Sequence, residues 1–410
     1  MANLFCSLGI LLAVGGVVAN DYFPQGNDGR AIQCAIDLAA ANGGGRVVVR
    51  PGTYPCKTIY LKSRVELHLE KGAVLLGSDK WFEYDDVDDP RILKSPEKSK
   101  KAFLAAICCD DVAITGGGTI DGQGVAFYDT NVMPGKMFKK PQHPRTRMLQ
   151  FFCCRGVRLE GVLLKDSPGW TCWMRRCDNV SVSKLRIEGD QRMINNDGLH
   201  FDGCSHVRVS DSFFRTGDDS IVVRANPDVE GHSSLSEDVC VSNCCLDSAC
   251  SGIRIGCPSD GTIRNVLVSD CVFRGNSGIL SYNPLRYLHR GNRGRLELSD
   301  IRFERCDVDV RGHPLTLVVE PGIRLKAFGH LMIADSCLKG GKALRLVGNA
   351  ETVLTDVRLV NCRIETGSVS PILVEHVEGL VQERVTFSSG GPEQKPFCWK
   401  WDSDSWECVP

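Results

Sequence analysis

A short phrase recurs along this chain and restricts its fold more than any other feature: a polar residue or glycine, then alternating aliphatics, then a small residue or cysteine. It reads Gly156-Val157-Arg158-Leu159, Asn179-Val180-Ser181-Val182, His206-Val207-Arg208-Val209, Asp238-Val239-Cys240-Val241, Asn265-Val266-Leu267-Val268, Asp300-Ile301-Arg302-Phe303, His330-Leu331-Met332-Ile333 and Asp356-Val357-Arg358-Leu359. The first aliphatics fall at 157, 180, 207, 239, 266, 301, 331 and 357, with steps of 23 to 35 residues. That is the range of one solenoid coil carrying loops of variable length. Period-two alternation over three or four residues marks each phrase as a short strand with one buried face. Stacked in parallel, such units bury a core that none could bury alone, and the 3.6-residue period of a helical repeat is missing. The expectation is an all-β, single-domain, right-handed parallel β-helix.

Cysteine keeps a fixed place in the repeat, five residues after the first aliphatic, as Cys244, Cys271, Cys306 and Cys362. These should form an interior file of small buried hydrophobes. Zinc-type CxxC and HxxxH spacing is missing, so metal is not expected there. Cys398 and Cys408 are candidates for a local disulfide. Ahead of the repeat, Asp28 to Asn42 reads as one helix, with Asp28 as N-cap, Ile32, Ile36 and Leu38 inside, and Gly43-Gly44-Gly45 as the stop. Such a helix would cap the first coil and cover its open edge. Strands are expected at 47–49, 58–61 and 65–69, and residues 81–101 and 125–147 read as loops beside a cleft.

Two segments carry carboxylates that a solenoid does not need: Asn195-Asn196-Asp197-Gly198 and Thr216-Gly217-Asp218-Asp219-Ser220. About one coil separates them, so they should stack at a strand spacing of roughly 4.8 Å. Three acids so close repel, which raises the pKa of at least one and equips it to donate a proton. Glycoside hydrolysis needs that division between a protonated acid and an ionised base. Two other readings compete: Asp-Gly turns at coil corners, and a calcium site built of carboxylate oxygens.

At these residues the chain resembles the polygalacturonase family, glycoside hydrolase family 28. Further motifs of the same character follow in order: Tyr60-Leu61-Lys62-Ser63, Leu69-Glu70-Lys71-Gly72-Ala73, Gly118-Thr119-Ile120-Asp121-Gly122-Gln123-Gly124, Pro144-Arg145 and Asp166-Ser167-Pro168-Gly169-Trp170. The resemblance implies a β-helix that hydrolyses with inversion and uses no metal or organic cofactor. Asp218 would be the general acid, Asp197 and Asp219 would hold and deprotonate the water, and Asn195 or Asn196 would orient these carboxylates.

The chain also departs from that family. It reads Cys250-Ser251-Gly252 where the family has Gly-His-Gly, and Leu280-Ser281-Tyr282 where the family has the Arg-Ile-Lys that binds a uronate carboxylate. Arg254, Arg224, Arg286 and His200 are candidates to face the cleft in their place, and a planar guanidinium suits a sugar carboxylate. Trp170, Trp173 and Tyr282 would stack on pyranose rings or, for the tryptophans, pack beneath the cleft.

The expected partner is a pectin-like or other uronate-containing polysaccharide or oligosaccharide, met by a monomer. A β-helix polysaccharide lyase and a non-catalytic glycan-binding protein are the alternatives, and retention of all three aspartates argues against the latter. A formal net charge of −1 offers no electrostatic footprint for nucleic acid or an anionic membrane. Residues 1–19 are largely apolar and end in small residues, as a secretory signal does, although a basic start is missing and Val17-Val18 would equally open the first strand; on the signal reading, residues 20–410 would be the glycosidase domain of a secreted or periplasmic protein.

Overall fold

The computed structural model describes residues 20–87, 99–227, 234–256, 258–290, 294–389, 398–402 and 405–409. The expected leader lies outside them, as do the side chains of Cys398 and Cys408; in the backbone, Cys398 pairs with Val409 and Cys408 with Trp399.

The chain winds into a right-handed parallel β-helix whose coils present three ladders of strands. The first ladder begins at Asp21–Tyr22, continues with Gly45–Val49, and runs through Asp178–Ser183, Ser205–Ser210 and Leu354–Val360 to Val377–Glu378 and Val381–Glu383. The second includes Arg186–Glu188 and Phe213–Thr216, and the third Cys172–Arg175, Leu199–Asp202 and Ile221–Arg224. Two long strands, Cys245–Ile255 and Val272–Asn283, run through the corner and join the second and third ladders into one sheet.

The repeated phrase is the first ladder. Val157, Val180, Val207, Val239, Val266, Ile301, Leu331 and Val357 are consecutive register partners, and all are buried. The polar residue before each has a conformational purpose. Gly156, Asn179, His206, Asp238, Asn265, Asp300, His330 and Asp356 all adopt a left-handed backbone, with φ between 50° and 72°. Asn, Asp, His and Gly tolerate that region best. The kink there turns the chain onto the ladder, so the alternating aliphatics start at the same phase in every coil.

Cys244, Cys271, Cys306 and Cys362 are buried and free, as the interior-file reading requires. Each thiol also donates to the carbonyl two residues earlier, on Ser242, Ser269, Glu304 and Val360. Ser212 and Ser336 make the same turn bond with their hydroxyls. A second file, Cys109, Cys154, Cys177 and Cys204, lines the opposite corner.

The capping helix spans Gly29–Ala41, and the Asp28 carboxylate accepts from the Ala31 N–H at 2.9 Å. Ile32 and Ile36 face the first coil with Ala35 and Ala39, whereas Leu38 points outward at 55% exposure. Its position, two residues from Ile36, lies off the buried stripe of a 3.6-residue helix. Among the described residues no helix is long and apolar enough to cross a membrane.

The left-handed file makes a stability prediction. Asn265→Val should cost about 1–2 kcal/mol, because a β-branched residue resists positive φ, while Asn265→Gly should be nearly neutral. Urea midpoints of the two variants decide it.

Candidate active site

The acidic segments occupy the corner between the second and third ladders on adjacent coils. Backbone bonds lock that corner across the stack. Thr171 N–H donates to the Asp197 carbonyl at 2.9 Å, Gly198 N–H to the Asp219 carbonyl at 2.9 Å, and Ser220 N–H to the Ser251 carbonyl at 3.0 Å. Two glycines are required by crowding: a Cβ on Gly198 would collide with the Ser220 carbonyl oxygen, and one on Gly217 with that of Met193. The register Cys172↔Leu199↔Ile221↔Ile253 then aligns Trp170, Asp197, Asp219 and Ser251, each two residues earlier in its own coil.

The same register builds a second file from Trp173, His200, Val222 and Arg254. Each aspartate of the first file meets a partner from the second. His200 Nε2 lies 2.9 Å from Asp197 Oδ2, and the imidazole stacks on Trp170 with centroids 4.0 Å apart. Arg254 Nη1 lies 3.0 Å from Asp219 Oδ2, and Ser251 Oγ donates to Asp219 Oδ1. Asp197, His200 and Asp219 are at most 3% exposed.

Asp218 stands apart, half-buried, with Oδ1 accepting the Asp219 N–H at 3.0 Å. Burial raises its pKa well above the ordinary carboxylate value, and the charges of Asp197 and Asp219 push the same way, against Arg254 and Cys250. Burial likewise raises the Cys250 thiol, with Asp219 and Asp218 adding to it. For Arg254 burial is the largest single influence and opposes the charge, but Asp219, Cys250, Tyr287 and Asp218 together outweigh it and the pKa rises.

Asn195 adopts a left-handed backbone, accepts from Arg145 Nη2 at 2.8 Å and points its amide at Asp218 Oδ2 from 3.4 Å. Asn196 is 1% exposed and works across coils, donating to the Ser167 carbonyl at 2.8 Å and accepting the Gly217 N–H at 3.3 Å. Trp170 and Trp173 are 4% and 1% exposed, so they pack beneath the surface instead of offering open stacking faces. Around them sit three buried guanidinium groups. Arg147 lies 4.4 Å from the Trp173 centroid, Arg175 5.6 Å from the same ring, and Arg224 5.2 Å from Trp170. Asp202 accepts from the Asn226 backbone N–H at 2.8 Å, and its Oδ2 is 3.7 Å from Arg175. Arg224 Nε meets no acceptor among the described residues. Tyr282 and Arg286 stand on the next coil, where the Tyr282 hydroxyl donates to Glu320 and Arg286 lies 6.0 Å from the Tyr282 ring.

Sequence reading did not anticipate Ser251, Arg145, Arg147 or Arg175. The last two were open to detection, since a charged residue in a wholly buried solenoid strand is out of pattern. The calcium alternative fits poorly. Asp218, Asp219 and Cys250 bring donor atoms within 4.8 Å of one another, but one donor is a thiol and Arg254 already engages Asp219. Calcium takes about six to eight oxygens.

Residues 91–286 match the family model described as Glycosyl hydrolases family 28. A "Probable polygalacturonase" of Vitis vinifera is 25% identical over 248 residues, which is 58% of this chain and 50% of that protein. A "Polygalacturonase" of Gossypium barbadense is 23% identical over 290 residues, covering 63% of this chain and 67% of that protein. The chain thus spans about half the length of the first of these relatives. In fold, it resembles the exopolygalacturonase of Thermotoga maritima, with a TM-score of 0.77 and 22% identity over 90% of this chain and 91% of that one.

Asn196→Ala should destabilise the corner by about 1–3 kcal/mol, since it strands the buried Gly217 N–H and Ser167 carbonyl. Chemical denaturation of the variant against wild type tests it.

Proposed function

We propose that this chain, whose residues 91–286 match the model of glycosyl hydrolases family 28, is an inverting glycosidase of pectin-like or other uronate-containing glycans. The observation that carries this reading is the division of labour among three stacked carboxylates. Asp218 is pushed toward the protonated form, while Asp197 faces an imidazole and Asp219 a guanidinium. A glycan-binding surface has no use for a raised acid beside two held carboxylates. In the reaction, Asp218 protonates the leaving oxygen as water, held by the other two, attacks the anomeric carbon from the opposite face.

Substrate acidity is supported by Arg224, a buried guanidinium whose Nε has no acceptor among the described residues. Desolvating a cation without an anion costs several kcal/mol, so the position favours a ligand carboxylate. Arg254, which also lies on this corner, is held by Asp219 and instead tunes the acid. Residues 20–410 form the glycosidase unit in this reading, acting as a monomer outside the cytoplasm, where such glycans lie.

Asp218→Asn should lower kcat about 10²- to 10⁴-fold on whichever pectic glycan the wild type cleaves, with KM little changed. Product analysis across a panel of such glycans tests it, and equal rates for variant and wild type would overturn the assignment of the acid. Arg224→Ala should instead raise KM for the acidic substrate.

The pH dependence follows from the raised pKa of Asp218. The acid must be protonated, so activity should persist above the ordinary aspartate value of about 3.9 and fall as pH climbs through the raised one. Arg254→Gln removes a charge that lowers that pKa and should move the alkaline limb to higher pH. A kcat/KM profile with its limb unmoved would count against this.

A further inference from the structure

The register that aligns Asp219 with Ser251 also sets Cys250 against Asp218. Thr216 pairs with Ser248 and Ile221 with Ile253, the same offset of 32 residues that separates Asp219 from Ser251, so Cys250 takes the place of Asp218 one coil on. The Ser248 hydroxyl fixes both, donating to the Asp218 carbonyl at 2.7 Å and accepting the Cys250 N–H at 2.9 Å. On the far side of Cys250 the strand carries a bulge. Ala249 and Cys250 together face Asn276, between the pairs Ser248↔Gly275 and Ser251↔Ser277. A bulge re-aims the side chains beside it. Here the thiol joins one oxygen each from Asp218 and Asp219, and these donor atoms all lie within 4.8 Å of one another. Asp218 and Cys250 are both half-buried, which leaves a small ion a way in. Asn276, opposite the bulge, adds an independent sign. It is 8% exposed, and its Oδ1 meets no donor among the described residues. A buried acceptor left bare is costly, and beside a corner rich in carboxylates it marks a place for a cation.

We propose that Cys250, Asp218 and Asp219 form a binding site for zinc(II), and that the bound ion silences the general acid. The thiol that makes this corner a poor calcium site suits zinc, which takes mixed sulfur and oxygen donors in fours, often three from protein and one from water. Arg254 and Ser251 already engage Asp219, so Asp218 and Cys250 are the principal ligands, and Asp219 adds a remaining lone pair and negative charge. On binding, the thiol proton and the carboxyl proton of Asp218 leave to solvent, and sulfur and oxygen each give a lone pair to zinc. Asp218 then holds zinc where it would hold the proton for the leaving oxygen. Spacing along the sequence does not show such a site, because its donors come from neighbouring coils. The resembled family has glycine where Cys250 stands, so the site belongs to this chain's own substitution.

Zinc chloride titrated into the full chain tests the site, with calcium chloride as control and Cys250→Ser and Cys250→Gly as variants. Zinc should inhibit cleavage of a glycan that the wild type accepts, and calcium should not. Each variant, referred to its own metal-free rate, should need about 10- to 100-fold more zinc for the same inhibition. Cobalt(II) in place of zinc reads binding without activity, through the thiolate charge-transfer absorbance in the near ultraviolet. Cys34 and Cys108 are exposed thiols, so the reading is the difference between wild type and variant, which should equal one bound ion. Equal zinc sensitivity and equal cobalt absorbance in wild type and a folded variant overturn the site, and a cobalt difference without zinc inhibition overturns the silencing. Inhibition rests on the glycosidase reading, whereas the cobalt difference does not. A wild type inactive on every glycan would therefore overturn that reading and leave the absorbance to decide the site, while an active wild type with no cobalt difference overturns the site alone.

Discussion

Everything in this molecule depends on the hydrogen bonds that run from coil to coil. A parallel strand cannot satisfy its backbone groups within its own coil, so each turn of the solenoid must return in register with the last. That demand makes residues about 20 to 47 positions apart in sequence into neighbours in space. Asp197 and Asp219 meet for this reason, and so do Trp170 and His200. The site needs no long-range tether beyond the ladder that holds the core.

On that ladder the site assembles as two files of side chains, offset by three residues along each coil. One file carries the carboxylates and the other carries what each needs: an imidazole for Asp197, a guanidinium for Asp219. Between His200 and Arg254 the second file holds Val222, a short aliphatic rung. It keeps the two polar partners on separate coils, so each addresses its own aspartate. Asp218 escapes this pairing because it sits one residue before Asp219, at the bend of the corner, and only burial and like charge act strongly on it.

The parts of the fold that were legible in sequence were those with a period. Eight aliphatic positions predicted eight rungs, and the register joins those same eight. The polar residue before each was visible as a pattern, but its left-handed backbone was not, since Asn, Asp and His serve many purposes. The three aspartates were legible because the solenoid gives them no structural task. Their partners were harder to find. Ser251 is a small residue among many, and its bond to Asp219 exists only because a coil boundary brings them together. Leu38 shows the opposite failure, an apolar residue in an amphipathic helix that lies off the buried stripe.

The two strands that pass unbroken through the corner, Cys245–Ile255 and Val272–Asn283, give the solenoid a mechanical polarity. On the side of Asp197 and Asp218 the corner is made of turns between separate strands. One coil further on, the backbone is continuous sheet, with a single register shift between Ser248 and Ser251. Asp218 therefore sits at a boundary between a broken wall and a continuous one. The continuous wall holds Arg254 and Ser251 as a reference against which Asp219 is aligned.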